Sequence, residues 1–238
     1  MPAALLSLWL SLAPLSAGEP SQLHNIAQVG DGGGIRTVIF VSNRNQTAAQ
    51  VSVTFRDPAG AALALEIDGT TASQFDFQIP AFGSRILTTS GNGDAVRTGW
   101  ASLVSDLPVG AQTLFEIRSG GALVTQAAVE DVGPLDGAHV VVDQSGGQRV
   151  GLAVVNLGTE AIAEFVLTLR DLEGNVSGDS VRFDLAPQAQ RAVFLDELFA
   201  GLGDFQGTVK IRAGGSFTAI ALQQTGLVLG TVSPVEIP

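Results

Sequence analysis

The sequence predicts an all-β protein built as two tandem antiparallel β-sandwiches of immunoglobulin-like size, related by internal duplication. Three observations carry that expectation. Apolar and polar residues alternate with period two through short runs. Turn-forming glycine, proline and aspartate separate those runs. The order of the runs in the first half recurs in the second.

Residues 4–15, Ala4 to Leu15, form the one long apolar stretch. It is too short to span a bilayer as a helix, which takes about 20 residues. Ser16, Ala17 and Gly18 follow it, and polar chain begins at Glu19. This order fits the apolar region and cleavage site of a secretory signal peptide over residues 1–18, although no Lys or Arg precedes Arg36. The other reading is a buried N-terminal core helix.

The repeat is legible segment by segment. Ile35 to Asn43 reappears as Gln148 to Asn156, and Val51 to Asp57 as Phe165 to Asp171. Phe75 to Ile79 answers to Val181 to Leu185, with Arg85 and Arg191 following. Trp100 to Phe115 answers to Thr208 to Gln223. The matches keep their order at a nearly constant spacing, so short loop insertions within a duplicated unit explain the drift. The expected division is a first sandwich over 19–131, a linker at 132–137 and a second sandwich over 138–238.

Within each unit, Val51, Val53 and Phe55 point to one face while Ser52, Thr54 and Arg56 point to the other. Phe75, Phe77 and Ile79 alternate in the same way. The expected core therefore includes Val53, Phe55, Phe77, Leu167, Leu169 and Phe183. Asp57-Pro58-Ala59-Gly60 has aspartate, proline and glycine where a tight turn needs them, and Asp171-Leu172-Glu173-Gly174 repeats the design. Asn43 and Asn156 each close a strand and are suited to cap a turn. About seven strands per unit suit a sandwich. The one helical piece is Asp196 to Phe199, whose Leu198 and Phe199 are placed to plug the open end of the second sandwich.

Gly32-Gly33-Gly34-x-x-Thr37, followed by alternating apolar residues ending in Asn43, resembles the opening of modules repeated in secreted bacterial proteins. Asp196-Glu197-Leu198-Phe199 followed by Phe205-Gln206-Gly207-Thr208-Val209 resembles the same modules. The resemblance implies extracellular Ig-like or fibronectin-like sandwiches, hence a secreted or cell-surface location. It implies no catalytic residue.

Composition removes several function classes. Lys and Arg total 12 against 23 acids, a net charge of −11, which argues against binding nucleic acid or anionic lipid. With no cysteine, thiolate chemistry and disulfides are excluded. Gly30-Asp31-Gly32-Gly33-Gly34 leads into a β-run instead of a helix, so it reads as a strand-entry loop and not a phosphate cradle. His24 and His139 sit near the start of each unit, not at metal-ligand spacing. Loop carboxylates Asp31, Asp94, Glu130, Asp131 and Asp136 are the candidates for calcium, without an Asp-x-Asp-x-Asp-Gly pattern. No G-x-S-x-G elbow is present. The expectation is a non-enzyme without a cofactor.

Trp100 is the residue singled out for contact. Ala101 and Leu103 match the inward alternation of Val209 and Ile211, so Trp100 faces away from its own core. It reads either as a contact for a partner, a glycan or the second domain, or as a ring over a sheet edge or between domains; the latter suits a residue seldom fully exposed. The first strand, Leu23 to Val29, carries no formal charge. Leu23, Ile26 and Val29 are accordingly candidates for contact with a neighbouring subunit, by strand addition through residues 19–29. The function expected is an exported structural or adhesive protein, assembling as a fibre by self-association or joining another cell-surface protein. The competing expectation is a ligand-binding module for calcium or a glycan.

Overall fold

A computed structural model describes residues 22–237; the leader expected at 1–18 lies outside them. The chain is all-β, and among the described residues no helix is long and apolar enough to cross a membrane. The first half holds β1 (Gln22–Asp31), β2 (Ile35–Asn43), β3 (Ala49–Arg56), β4 (Leu65–Ile67) and β5 (Thr70–Ala72). It continues with β6 (Gln74–Ile79), β7 (Ser84–Thr88), β8 (Arg97–Ser105), β9 (Val109–Ser119) and β10 (Ala122–Val129). The second half runs through β11 (Leu135–Asp143), β12 (Arg149–Asn156), β13 (Ile162–Asp171), β14 (Val181–Leu185) and β15 (Gln190–Phe194). After α1 (Leu195–Leu198) come β16 (Gln206–Thr225), β17 (Val228–Val232) and β18 (Val235–Glu236).

In the first half, sheet β1-β8-β3-β6 and sheet β10-β9-β2-β7 share one core. Ile26, Val53, Phe55 and Leu103 meet Ile39, Val41, Leu87 and Phe115 there. These are the inward members of the period-two runs, which is why alternating sequence folds into half-buried strands. The second half has the order β11-β16-β13-β14 and β17-β16-β12-β15. Strand β16 serves both layers. Its early residues pair with β11 and β13, its later ones with β12 and β17, and the two parts meet at Gly214-Gly215. In the first half β8 and β9 hold those two places. Strand order is thus the same in both halves.

Register agrees down to single residues. Arg56 lies opposite Trp100, and Arg170 opposite Thr208. One residue earlier, Gly99 and Gly207 pass so close to the facing strand that an added Cβ would fall 2.0 Å from the Arg56 and Arg170 carbonyl oxygens. No side chain fits at either position. Asn43 Nδ2 lies 2.8 Å from Thr47 O, 3.1 Å from Ile79 O and 3.1 Å from Pro80 O. Asn156 Nδ2 lies 2.8, 3.2 and 3.0 Å from Glu160, Leu185 and Ala186 carbonyls. Each asparagine therefore caps its own turn, as the sequence indicates, and also ties the end of β2 or β12 to a distant strand.

Some expectations shift. Val53, Phe55, Leu167 and Leu169 are buried, but Phe77 and Phe183 are half-buried. They lie on edge strands β6 and β14, with a neighbour on one side only. Arg85 stacks over Phe77 at 5.1 Å and Arg191 over Phe183 at 4.3 Å, covering what the sheet leaves open. Helix α1 begins one residue earlier than the sequence suggests, because Leu195 itself fills the second core beside Phe199.

Candidate functional site

The most developed feature is the seam where the two halves meet. In β12, Val150, Leu152 and Val154 enter the second core, while Ala153 and Val155 join the core of the first half. Ile220 of β16 does the same, flanked by Ala219 and Ala221 that face the other way. These strands are buried on both faces, so their sequences are apolar without interruption. The outer face of β12, β15 and β16 is thereby packed against the outer face of β1 and β8.

Trp100 is the anchor of that contact. It points away from its own sheet core, as the alternation predicts, yet it is only 2% exposed. Its Nε1–H donates to Gln188 O at 2.8 Å, and Arg56 lies 5.8 Å from the ring centroid. Gln188 holds a left-handed backbone (φ 57°) that presents this carbonyl. Beside it, Gln190 N–H donates to Pro58 O at 2.9 Å. The Gln190 side-chain amide reaches Ala27 O at 2.6 Å, Gly99 O at 2.8 Å and Gln28 Oε1 at 2.9 Å. Trp100 is therefore occupied by the second half of its own chain and is not a surface for an outside partner.

The first strand is corrected as well. Ile26 and Val29 are buried in their own core, paired through β8, and Asn25 through Asp31 is covered on both faces. Of the residues expected to meet a neighbour, Leu23 alone is exposed, opposite Val104. Swinging this strand out would uncover the seam that Gln190 closes over Ala27.

His24 acquires a partner invisible from local sequence. Its Nδ1–H donates to Asp131 Oδ2, and its Nε2 lies 3.1 Å from Val109 O. Asp131 Oδ1 accepts the Asn25 backbone N–H at 2.8 Å, so one carboxylate closes the edge of β1. The hydrogen bond to Asp131 raises the His24 pKa above its ordinary value against the opposing effect of burial. His139 is not its counterpart. By pairing it matches Asn25, and burial, followed by the charges of Lys210, Arg170 and Arg212, lowers its pKa. Where Asp131 closes β1, strand β18 closes β11, with Val235 opposite His139.

The carboxylates considered for calcium do not converge. Asp31 is buried, paired with Arg97 and accepting Gly91 N–H at 2.7 Å. Asp131 holds His24, and Glu130 accepts Ser233 Oγ–H. Among the described residues, no three His, Cys, Asp or Glu side chains form a group suited to a metal.

At one margin of the seam the two halves part, leaving an open cleft of about 430 Å³. Ile35, Phe115 and Ile117 line it from the first half, Phe194 and Leu222 from the second. Arg149 stacks 3.8 Å from the centre of the Phe194 ring and is held by Asp196 at 2.7 Å. No protein-family model matches this chain, and no curated protein matches it.

Proposed function

We propose that this chain is an exported, non-enzymatic structural or adhesive building block made of two duplicated Ig-like β-sandwiches. The observation that supports it best is the seam. Two halves of one strand order are locked face to face through Trp100, Gln188 and Gln190, which makes a stiff double unit instead of two beads on a linker. A stiff unit transmits spacing and load. Its strong acidity suits a secreted protein that must stay soluble. Its residues 1–18 act as the signal peptide, and the protein works outside a bacterial cell or on its surface as a subunit of a fibre. Strand addition at an open edge such as β6, β7 or β14 is one route to such a fibre.

The ligand-binding reading has one place to reside, the cleft between Phe115 and Phe194. Its apolar walls suit an apolar ligand better than calcium or a glycan. Size-exclusion chromatography with light scattering, followed by electron microscopy of the secreted protein, separates the two. Concentration-dependent oligomers or filaments support the building block. A monodisperse monomer with measurable calcium or glycan affinity refutes it in favour of the binding module.

A further inference from the structure

The seam inside the chain uses one face of each half and leaves the matching face of the other half uncovered. In the first half the face of β1 and β8 is covered; its counterpart in the second half, on β11, β13 and β16, is open. In the second half the face of β12, β15 and β16 is covered; its counterpart in the first half, on β2, β7 and β9, is open. From this geometry we infer that a second copy of the chain stacks its β2-β7-β9 face onto the β11-β13-β16 face of the first, repeating the internal seam between molecules. The inference rests on the building-block reading and names its surface.

The two open faces carry features that fit each other. Inside the chain Trp100 of the first half and the small Ala153 of the second share one buried core, with Ala192 at its exposed margin. On the open faces the sizes are reversed. Strand pairing puts Thr208 at the place of Trp100, Phe40 at that of Ala153 and Ile86 at that of Ala192. Phe82 stands where Gln188 does and shares its unusual backbone, φ 57° in both. Phe82 is 73% exposed and Ile86 53%. In the stacked pair the smaller Thr208 is thus met by aromatic and branched bulk on the incoming face.

The receiving face has its own exposed apolar residues. Val141 stands at the β-bulge position of Ala27 and Gln28, and is 59% exposed. Leu172, in the turn 171–174 of the second half, holds the place that Pro58, the acceptor of Gln190 N–H, has in the first, and is 74% exposed. Arg170 holds the place of Arg56 and is positioned to flank an incoming ring as Arg56 flanks Trp100. Lys210 and Arg212 lie on the same face. Because donor and acceptor faces differ, the contact is heterologous, and repetition of the seam yields an open row instead of a closed dimer.

The chain has no cysteine, so introduced thiols report the contact alone. Gln190 N–H and Pro58 O, 2.9 Å apart inside the chain, correspond to Ser84 and Leu172 between copies. The full chain carrying both Ser84→Cys and Leu172→Cys is expected to give a ladder of linear disulfide-linked oligomers on mild oxidation. A control with Asp94→Cys and Leu172→Cys is expected to give none. Phe82→Ser, an exposed change that spares the core, is expected to raise the concentration needed for assembly by at least about tenfold. Oligomers in light scattering without the Ser84–Leu172 ladder, or an equal ladder from the control, would overturn the stacking and leave the building-block reading intact. A monomer at every concentration with no ladder would overturn both.

Discussion

Trp100 offers the sharpest test of how the halves are joined. A buried tryptophan removes about 150–250 Å² from water, which at about 25 cal/mol per Å² amounts to about 4–6 kcal/mol. Relaxation of the site recovers part of this, so Trp100→Ala is expected to cost about 3–5 kcal/mol. Trp100→Phe keeps most of the ring but removes the Nε1–H that Gln188 O accepts at 2.8 Å. Leaving that carbonyl unpaired is expected to cost about 1–2 kcal/mol. The location of the loss matters as much as its size. The ring faces away from its own core, so its removal weakens coupling between the halves before it weakens either half. Urea denaturation followed by circular dichroism gives the magnitude, and scanning calorimetry gives the coupling. The expected result for the alanine variant is an endotherm that broadens or splits in two. A loss below about 1 kcal/mol with one unchanged endotherm would refute the reasoning.

Phe55→Ala is expected to cost about 3–5 kcal/mol because the site is fully buried, whereas Phe77→Ala on edge strand β6 is expected to cost about 1–2 kcal/mol; equal urea midpoints for the two would contradict the assigned faces. Asn43→Asp and Asn156→Asp each replace an amide donor serving three carbonyls with a group that cannot donate. Each is expected to cost at least about 2 kcal/mol, and the two costs should be similar if the turns are equivalent. The His24–Asp131 pair gives a pH dependence. With the folded pKa of His24 raised above its unfolded value of about 6.5, its contribution is fully present below that pH and lost as pH rises through the folded pKa. Urea midpoints for the native chain and His24→Gln measured across that interval should therefore converge on the alkaline side; parallel curves would show that the pair contributes nothing.

Much of the fold is legible because its information is local. Period-two alternation identifies the inward residues of β3 and β13 without any reference to their partners. The two aspartate turns behave as read: Gly60 and Gly174 both adopt φ 85°, and each N–H donates to the turn's aspartate carbonyl, at 2.9 and 3.0 Å. What alternation does not tell is whether a strand is central or at an edge. Phe77 and Phe183 have the inward parity of Phe55, but the number of flanking strands decides their exposure, and that number belongs to topology.

The seam is harder to read because its partners are far apart in the chain: Trp100 with Gln188, Gln190 with Ala27, His24 with Asp131. No local pattern announces such pairs; Asp131 lies 107 residues from His24 in the chain. One signal was nevertheless present. Ile39, Phe40, Val41 and Ser42 end in a polar outward residue, whereas the corresponding Leu152, Ala153, Val154 and Val155 are apolar throughout. In two halves of the same strand order, each of antiparallel layers with one wet face, that difference has a physical cause, since an outward position turns apolar when something covers it. Trp100 makes the same point from the other side, because a large ring of outward parity needs a cover. Together they mark two faces that are covered, whereas at the corresponding place on the first half Phe82 and Ile86 are exposed and Phe40 is half-buried.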